Sequence, residues 1–344
     1  MLHPRQTPSL IGRTLQVEKI KEAFCQNRLP QGVLLYGPKG VGKATFAYHI
    51  ARYLFQGSKD NFKVDLETPL FKRVGARSHG DLFVLERNSS EVTASGKEIP
   101  IDEVRNALAF LKKSPLEGGF RVVIIDSINE LNKNASNALL KSLEEPPSQT
   151  LLILIHHGAG GILPTLKSRC QRIFCPPLSE AESKEILKQH LELEASDFNL
   201  LAAFARGSAG NVLRLFNTFY GAQVFKDFIG LLESLRQKEF SKVYAFIETL
   251  LAQKGADVLE SAEILVSWWL DRLRSFALSK DMLEAFPGEK ELALYYLKTY
   301  SLKKLPAIWQ NMETLFKEAR LFNLDAKHVL VCTFFEFLVN KQKN

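Results

Sequence analysis

The segment Gly37-Pro38-Lys39-Gly40-Val41-Gly42-Lys43 constrains this chain more than any other. It follows a short apolar run, Val33-Leu34-Leu35-Tyr36, and opens a stretch in which Phe46, Ala47, Ile50, Ala51, Leu54 and Phe55 share one helical face. The spacing is G-x-x-x-x-G-K in a strand–turn–helix setting. Glycines let the backbone curl so that its N–H groups face an anion, and the helix amino terminus adds a favourable dipole. Gly37, Gly40, Gly42 and Lys43 are therefore candidate phosphate-binding residues, with the Lys43 ammonium placed to reach terminal phosphates. The pattern wants Ser or Thr next, whose hydroxyl holds Mg²⁺. Ala44 stands there instead, and Thr45, the remaining candidate, comes one residue later on a different side of the helix. The expectation is at most weak ATP or ADP binding, with no cofactor required.

Further apolar runs repeat the strand signal: Leu82-Phe83-Val84-Leu85, Val122-Val123-Ile124-Ile125, Leu151-Leu152-Ile153-Leu154-Ile155 and, more weakly, Arg172-Ile173-Phe174-Cys175. Continuous apolar runs suit strands buried on both faces, hence a mostly parallel sheet. Helical patterns lie between them, one marked by Ala135, Ala138, Leu139 and Leu143 and ended by Pro146-Pro147. Alternating strand and helix predicts a doubly wound α/β domain over residues 1–177. Small helices with a break at Arg206-Gly207-Ser208-Ala209-Gly210 predict a helical lid over 178–221. Helix faces such as Ile264, Leu265, Trp268 and Trp269, and Val329, Leu330, Phe334 and Leu338, predict an all-helical domain over 222–344, its tryptophans in the core rather than stacked on bases.

The chain of 344 residues, 46% hydrophobic and 24% charged, is long enough for two or three domains. No run approaches the roughly 20 apolar residues needed to cross a bilayer, and no signal peptide is evident, so the expected location is the cytoplasm. Four cysteines without a C-x-x-C pair indicate neither a zinc ribbon nor a redox motif. The net charge of +7 is compatible with a nucleic-acid neighbour without requiring one.

A second half of the nucleotide site is readable in Arg121-Val122-Val123-Ile124-Ile125-Asp126. An acid ending an apolar strand is the form that supports Mg²⁺ through its carboxylate, which makes Asp126 a candidate. The following Ser127 is a poor general base without a partner.

These residues carry a specific resemblance. Asn137-Ala138-Leu139-Leu140-Lys141-Ser142-Leu143-Glu144-Glu145-Pro146-Pro147 is similar to the signature of clamp-loader subunits of the AAA+ fold, and Ser168-Arg169-Cys170 resembles their SRC motif. Leu10-Ile11-Gly12-Arg13 resembles the short AAA+ box that contacts adenine, and Ala319-Arg320-Leu321-Phe322-Asn323-Leu324-Asp325 resembles a collar helix of bacterial clamp loaders. The resemblance implies an AAA+ P-loop domain, a small helical lid and a carboxy-terminal helical collar. The motor branch of that family, tau/gamma, keeps Ser/Thr after the lysine, Glu after the strand-end Asp, Thr in its first sensor and Arg in its second. Here these places hold Ala44, Ser127, His156-His157 and the glycines of 207–210. A degraded nucleotide site beside an intact SRC resembles the delta-prime branch, whereas the delta branch normally lacks SRC. Many relatives carry a four-cysteine zinc module after the P-loop helix. Residues 56–80 contain no cysteine, so no zinc or other metal site is expected, and the role of Lys59, Lys63, Lys72 and Arg73 in that loop stays open.

The resemblance implies that Arg169 acts in trans, as an arginine finger in a neighbour's ATP site. It also implies a stator subunit, not catalytic alone, partnered by tau/gamma and delta subunits and, through the complex, by the beta sliding clamp and primed DNA. An active motor ATPase of the tau/gamma type is the alternative, distinguished by residues 44 and 127. An unrelated P-loop kinase would explain neither SRC nor the helical tail.

Overall fold

Five parallel strands organise the amino-terminal part of the computed structural model, which describes residues 3–57, 62, 65–86, 99–117, 119–145, 147–158, 164–253, 257–279, 283–300 and 304–339. Strands β1 (Gly32–Gly37), β2 (Leu82–Glu86), β3 (Arg121–Asp126), β4 (Thr150–His157) and β5 (Gln171–Phe174) lie in the order β2-β3-β4-β1-β5. All four pairings are parallel. Strand β4 therefore separates the strand that leads into the glycine loop from the strand that ends in Asp126. Gly37 pairs with His157 and Asp126 with Ile155, so the carboxyl ends of β1, β3 and β4 meet along one edge of the sheet.

Alternation along each strand supplies two cores. Val33, Leu35, Val122, Ile124, Leu151, Ile153 and Ile155 face one side, with Phe46, Ala47, Ile50, Ala51 and Leu54 packed among them. Those helical residues belong to α2 (Lys43–Gln56), flanked by α1 (Thr14–Cys25) and α3 (Pro69–Gly75). Leu34, Val123, Ile125, Leu152 and Leu154 face the other side, against Val104, Ala107 and Leu111 of α4 (Ile101–Leu111) and Ala135, Leu139 and Leu143 of α5 (Lys133–Glu144). Two-sided burial is why these strands read as unbroken apolar runs. Strand β5 is the exception: at the sheet's edge only Ile173 is buried, so its pattern is weak. It begins and ends one residue earlier than the apolar run suggests, with the Cys175 N–H still bonded to the Tyr36 carbonyl at 2.8 Å. Two short helices complete this unit, α6 (Pro164–Arg169) before β5 and α7 (Glu180–His190) after it.

The chain divides into two compact units: residues 1–190 with 207–210, and residues 191–206 with 211–344. Helices are the regular elements among the described residues of the second: α8 (Ala195–Ala205), α9 (Ala209–Thr218, whose first two residues group with the sheet unit), α10 (Gln223–Gln237), α11 (Ser241–Leu251), α12 (Val258–Leu278), α13 (Glu289–Thr299), α14 (Leu305–Leu321) and α15 (Ala326–Val339). Its centre is aromatic. Trp268 stacks on Phe204 at 3.7 Å and donates its indole N–H to the Ala203 carbonyl, while Trp269 meets Tyr296 edge-on. Both tryptophans are buried and therefore core residues. Val329, Leu330 and Phe334 are buried as their spacing implies; the side chain of Leu338 lies outside the described residues. A buried bidentate pair, Arg272 with Glu289, joins α12 to the start of α13.

Candidate nucleotide site and the arginine across the sheet

The glycines of the loop are required for different reasons. At Gly37 a Cβ would lie 2.2 Å from the Cys175 carbonyl oxygen, so no side chain fits between the loop and the end of β5. Gly42 caps α2 with φ of +93° and a Cβ there would meet nothing within 4 Å, so its requirement is conformational. Gly40 shares that left-handed region at φ +80°.

Lys43, the first residue of α2, is 2% exposed. Its ammonium donates to the carbonyls of Gly37 at 2.8 Å and Pro38 at 2.5 Å. Burial pulls its pKa down to about 8, against the opposing pull of Cys175 and Asp126. Thr45 is half-buried in the same first turn, and Ala44 packs against the core where a hydroxyl is wanted.

Two further elements hold the loop. Arg13 is buried and donates to the carbonyls of Gly12 at 2.6 Å and Val41 at 2.5 Å, tying the amino-terminal box to the loop. The Gly210 N–H donates to the Gly40 carbonyl at 2.9 Å. A Cβ on Gly210 would sit 2.8 Å from that oxygen and 3.0 Å from the Gly40 Cα. The turn 207–210 thus meets the phosphate loop backbone to backbone, at the place where the resemblance to motor subunits called for an arginine.

The acid side of the site is closed by histidine. Asp126 Oδ1 lies 3.5 Å from His157 Nε2. Asn129 fixes the backbone of that histidine, accepting from its N–H at 2.9 Å and donating to its carbonyl at 3.1 Å. Burial lowers the His157 pKa, and the bond to Asp126 partly offsets this. The Gly158 N–H donates to the Gly37 carbonyl at 3.2 Å, so the ends of β4 and β1 are tied. Ser127 is buried, and its Oγ has no hydrogen-bond partner among the described residues. Curled glycines, a buried ammonium and a helix amino terminus suit a phosphate group. The site offers Mg²⁺ fewer ligands than the full pattern: Ala44 has no oxygen, which leaves Asp126, whose Oδ1 faces His157.

Of the residues singled out from sequence, Gly37, Gly40, Gly42, Lys43, Thr45 and Asp126 converge on the carboxyl edge of the sheet. Arg169 does not. It ends α6 just before β5, and Gln171 pairs with Val33 at the start of β1. Val33 and Gly37 are four residue steps apart, about 13 Å along the sheet, so Arg169 sits at the amino edge, away from its own phosphate loop. Its guanidinium pairs with Glu144 at 2.6 Å and donates to the Thr165 carbonyl at 3.2 Å and Ser168 Oγ at 3.4 Å. The partners His157, Asn129 and Glu144 were not identified from sequence. Only the unusual His156-His157 pair at a strand end gave any signal.

In the loop over 56–80, Lys59 and Lys63 lie outside the described residues. Lys72 pairs with Glu67 at 2.7 Å, and Arg73 makes a bidentate pair with Glu117. Among the described residues no group of three or more His, Cys, Asp or Glu is arranged to hold a metal, and no helix is long and apolar enough to cross a membrane.

A parallel sheet of this order, a P-loop after β1 and an acid on β3 define an AAA+ P-loop unit with helices beyond it. Residues 12–179 match the family model described as DNA polymerase III, delta subunit. The chain is 38% identical over 183 residues to DNA polymerase III subunit delta′ of Pseudomonas aeruginosa, a match covering 53% of this chain and 54% of that one. It is 29% identical over 201 residues to subunit delta′ of Escherichia coli, covering 58% of each. It is 26% identical over 297 residues to subunit tau of Bacillus subtilis, covering 79% of this chain and 51% of the other. The chain thus spans about half the length of the relatives it matches. Residues 12–179 are thus similar to the corresponding parts of DNA polymerase III delta and delta′ subunits.

Proposed function

We propose that the chain is a non-motor subunit of a DNA polymerase III clamp loader that supplies Arg169 to a neighbouring subunit's ATP site. The observation that carries this reading is the placement of Arg169 at the sheet edge opposite its own phosphate loop. An arginine side chain there is too far from its own site to act on it. On the surface, beside a second subunit, it becomes available to another chain's phosphates. A guanidinium in that position stabilises charge developing on the transferring phosphoryl oxygens, an effect worth about 10³–10⁵ in rate for arginine fingers generally.

The chain's own nucleotide site supports the same reading. With Ala44 in place of a hydroxyl and Ser127 in place of an acid, it lacks groups that help hold Mg²⁺ and position water. In this reading the partners are tau/gamma-type motor subunits and a delta-type subunit, which meet the helical unit of this chain. The assembly places the beta sliding clamp on primed DNA in the cytoplasm. No cofactor is required, and nucleotide binding at Lys43 is at most weak.

The match to tau over 79% of the chain favours a second reading, an active motor ATPase. Steady-state ATP hydrolysis by the purified chain separates the two. The non-motor reading expects negligible turnover, and a rate above about 1 s⁻¹, within the ordinary enzyme range, overturns it.

A further inference from the structure

We propose that Glu144 is a positioning residue for Arg169, holding its guanidinium back on its own chain until a neighbouring subunit's phosphates displace it. The inference rests on the trans-acting reading of Arg169 and adds the residue that regulates its release.

The geometry begins in the core. Glu144 is the last residue of α5 and Arg169 the last of α6. Leu139 and Leu143 of α5 share one buried cluster with Leu166 of α6 and Cys170. Gly32 lies beneath both helix ends: a Cβ there would meet Leu143 Cδ2 at 2.6 Å, Cys170 Sγ at 3.0 Å and the Arg169 carbonyl at 3.4 Å. A residue without a side chain at the start of β1 therefore lets the two helices converge, and the core fixes how far apart their last residues stand. Their side chains bridge the remaining gap at 2.6 Å.

Both terminal nitrogens of the guanidinium are occupied on this chain. One donates to the Thr165 carbonyl and Ser168 Oγ, the other meets Glu144. A planar fork grips a phosphate through two parallel N–H bonds. A neighbour's phosphate that takes the Nη2 side of the fork therefore competes with Glu144 for the same nitrogen. The hold is weak enough for that. The side chains are 35% and 50% exposed, and ion pairs that solvent reaches shift equilibria by no more than about fivefold. Glu144 sets how often Arg169 is free, without preventing its use.

The test is ATP hydrolysis by the reconstituted complex, with this chain carrying Glu144→Gln, Glu144→Asp, Arg169→Ala or both Glu144→Gln and Arg169→Ala. Glu144→Gln keeps shape and removes the charge. Turnover at the dependent site should rise about two- to fivefold, and the ratio to the unaltered complex should fall toward one as salt screens the pair. Glu144→Asp retains the charge and should stay near the unaltered rate. In the Arg169→Ala background Glu144→Gln should change nothing, because the effect passes through Arg169. Unchanged or lower turnover for Glu144→Gln with Arg169 intact overturns the inference, as does an equal rise when Arg169 is absent. If Arg169→Ala alone leaves turnover unaltered, the trans-acting reading itself fails, a result distinct from failure at Glu144.

Discussion

Gly210→Ala sets two physical effects of opposite sign against each other. Gly210 is the second residue of α9. By helix propensity alone, alanine for glycine stabilises by about 1 kcal/mol. The packing argues the reverse. The added Cβ would lie 2.8 Å from the Gly40 oxygen and 3.0 Å from the Gly40 Cα, both backbone atoms of a loop already held by Arg13 and Gly158. Ordinary carbon contacts begin near about 3.5 Å, so the two backbones must part by about half an ångström. The same movement stretches the 2.9 Å bond from the Gly210 N–H to the Gly40 carbonyl and forfeits about 1 kcal/mol. Overpacking a tight contact costs a further 1–3 kcal/mol or so. The expected net effect is destabilisation by about 1–3 kcal/mol. Urea unfolding followed by far-ultraviolet circular dichroism measures it, with faster amide exchange in the 38–44 peptide as the local counterpart. Stabilisation by Gly210→Ala would refute the backbone-to-backbone docking of this turn.

Two other perturbations probe the site and the helical unit. Lys43 loses its proton near pH 8 in the folded chain and near the ordinary lysine value when unfolded, so the unfolded state holds more protons between those values and stability rises with pH there. Relative to Lys43→Met, the unaltered chain should gain on the order of 2–3 kcal/mol between pH 8 and 10.5 and stay level below pH 8; a pH-independent difference in unfolding midpoint contradicts this. Glu289→Gln leaves Arg272 buried without its countercharge and weakens the acceptor of the Ala285 N–H, so it should cost about 3–5 kcal/mol. Tryptophan fluorescence during unfolding reports it, and a loss below about 1 kcal/mol would mean that solvent screens the pair.

Strands and helix faces were legible because burial on one or two faces leaves a periodic trace. Val122 through Ile125 face both cores, and Trp268 and Trp269 sit where helix spacing placed them. Strand β5 was faint because only Ile173 is buried. The phosphate loop was legible from spacing, since curled glycines and a lysine must be contiguous to cradle an anion. What escaped were pairings between distant residues. Asp126 with His157, Arg13 with Val41 and Glu144 with Arg169 each join segments more than 20 residues apart, and local motifs name some of these side chains without naming their partners. Gly210 read as the absence of an arginine. Its contact with Gly40 gives a steric reason for glycine that no local pattern carries.

The central claim, that Arg169 works in a neighbour's site, is tested most directly by Arg169→Ala in the reconstituted complex. The side chain is at the surface, its partners are a half-exposed glutamate and its own helix, and the core beneath rests on Leu166 and Cys170, so folding and assembly should survive. Native mass measurement checks that assembly. Clamp- and DNA-stimulated ATP hydrolysis should fall only in part, because other motor sites in the complex do not face this subunit. Arg169→Lys should recover little, since an ammonium lacks the planar fork of guanidinium. Undiminished hydrolysis in a fully assembled Arg169→Ala complex would contradict the account and leave Arg169 as a surface residue paired with Glu144.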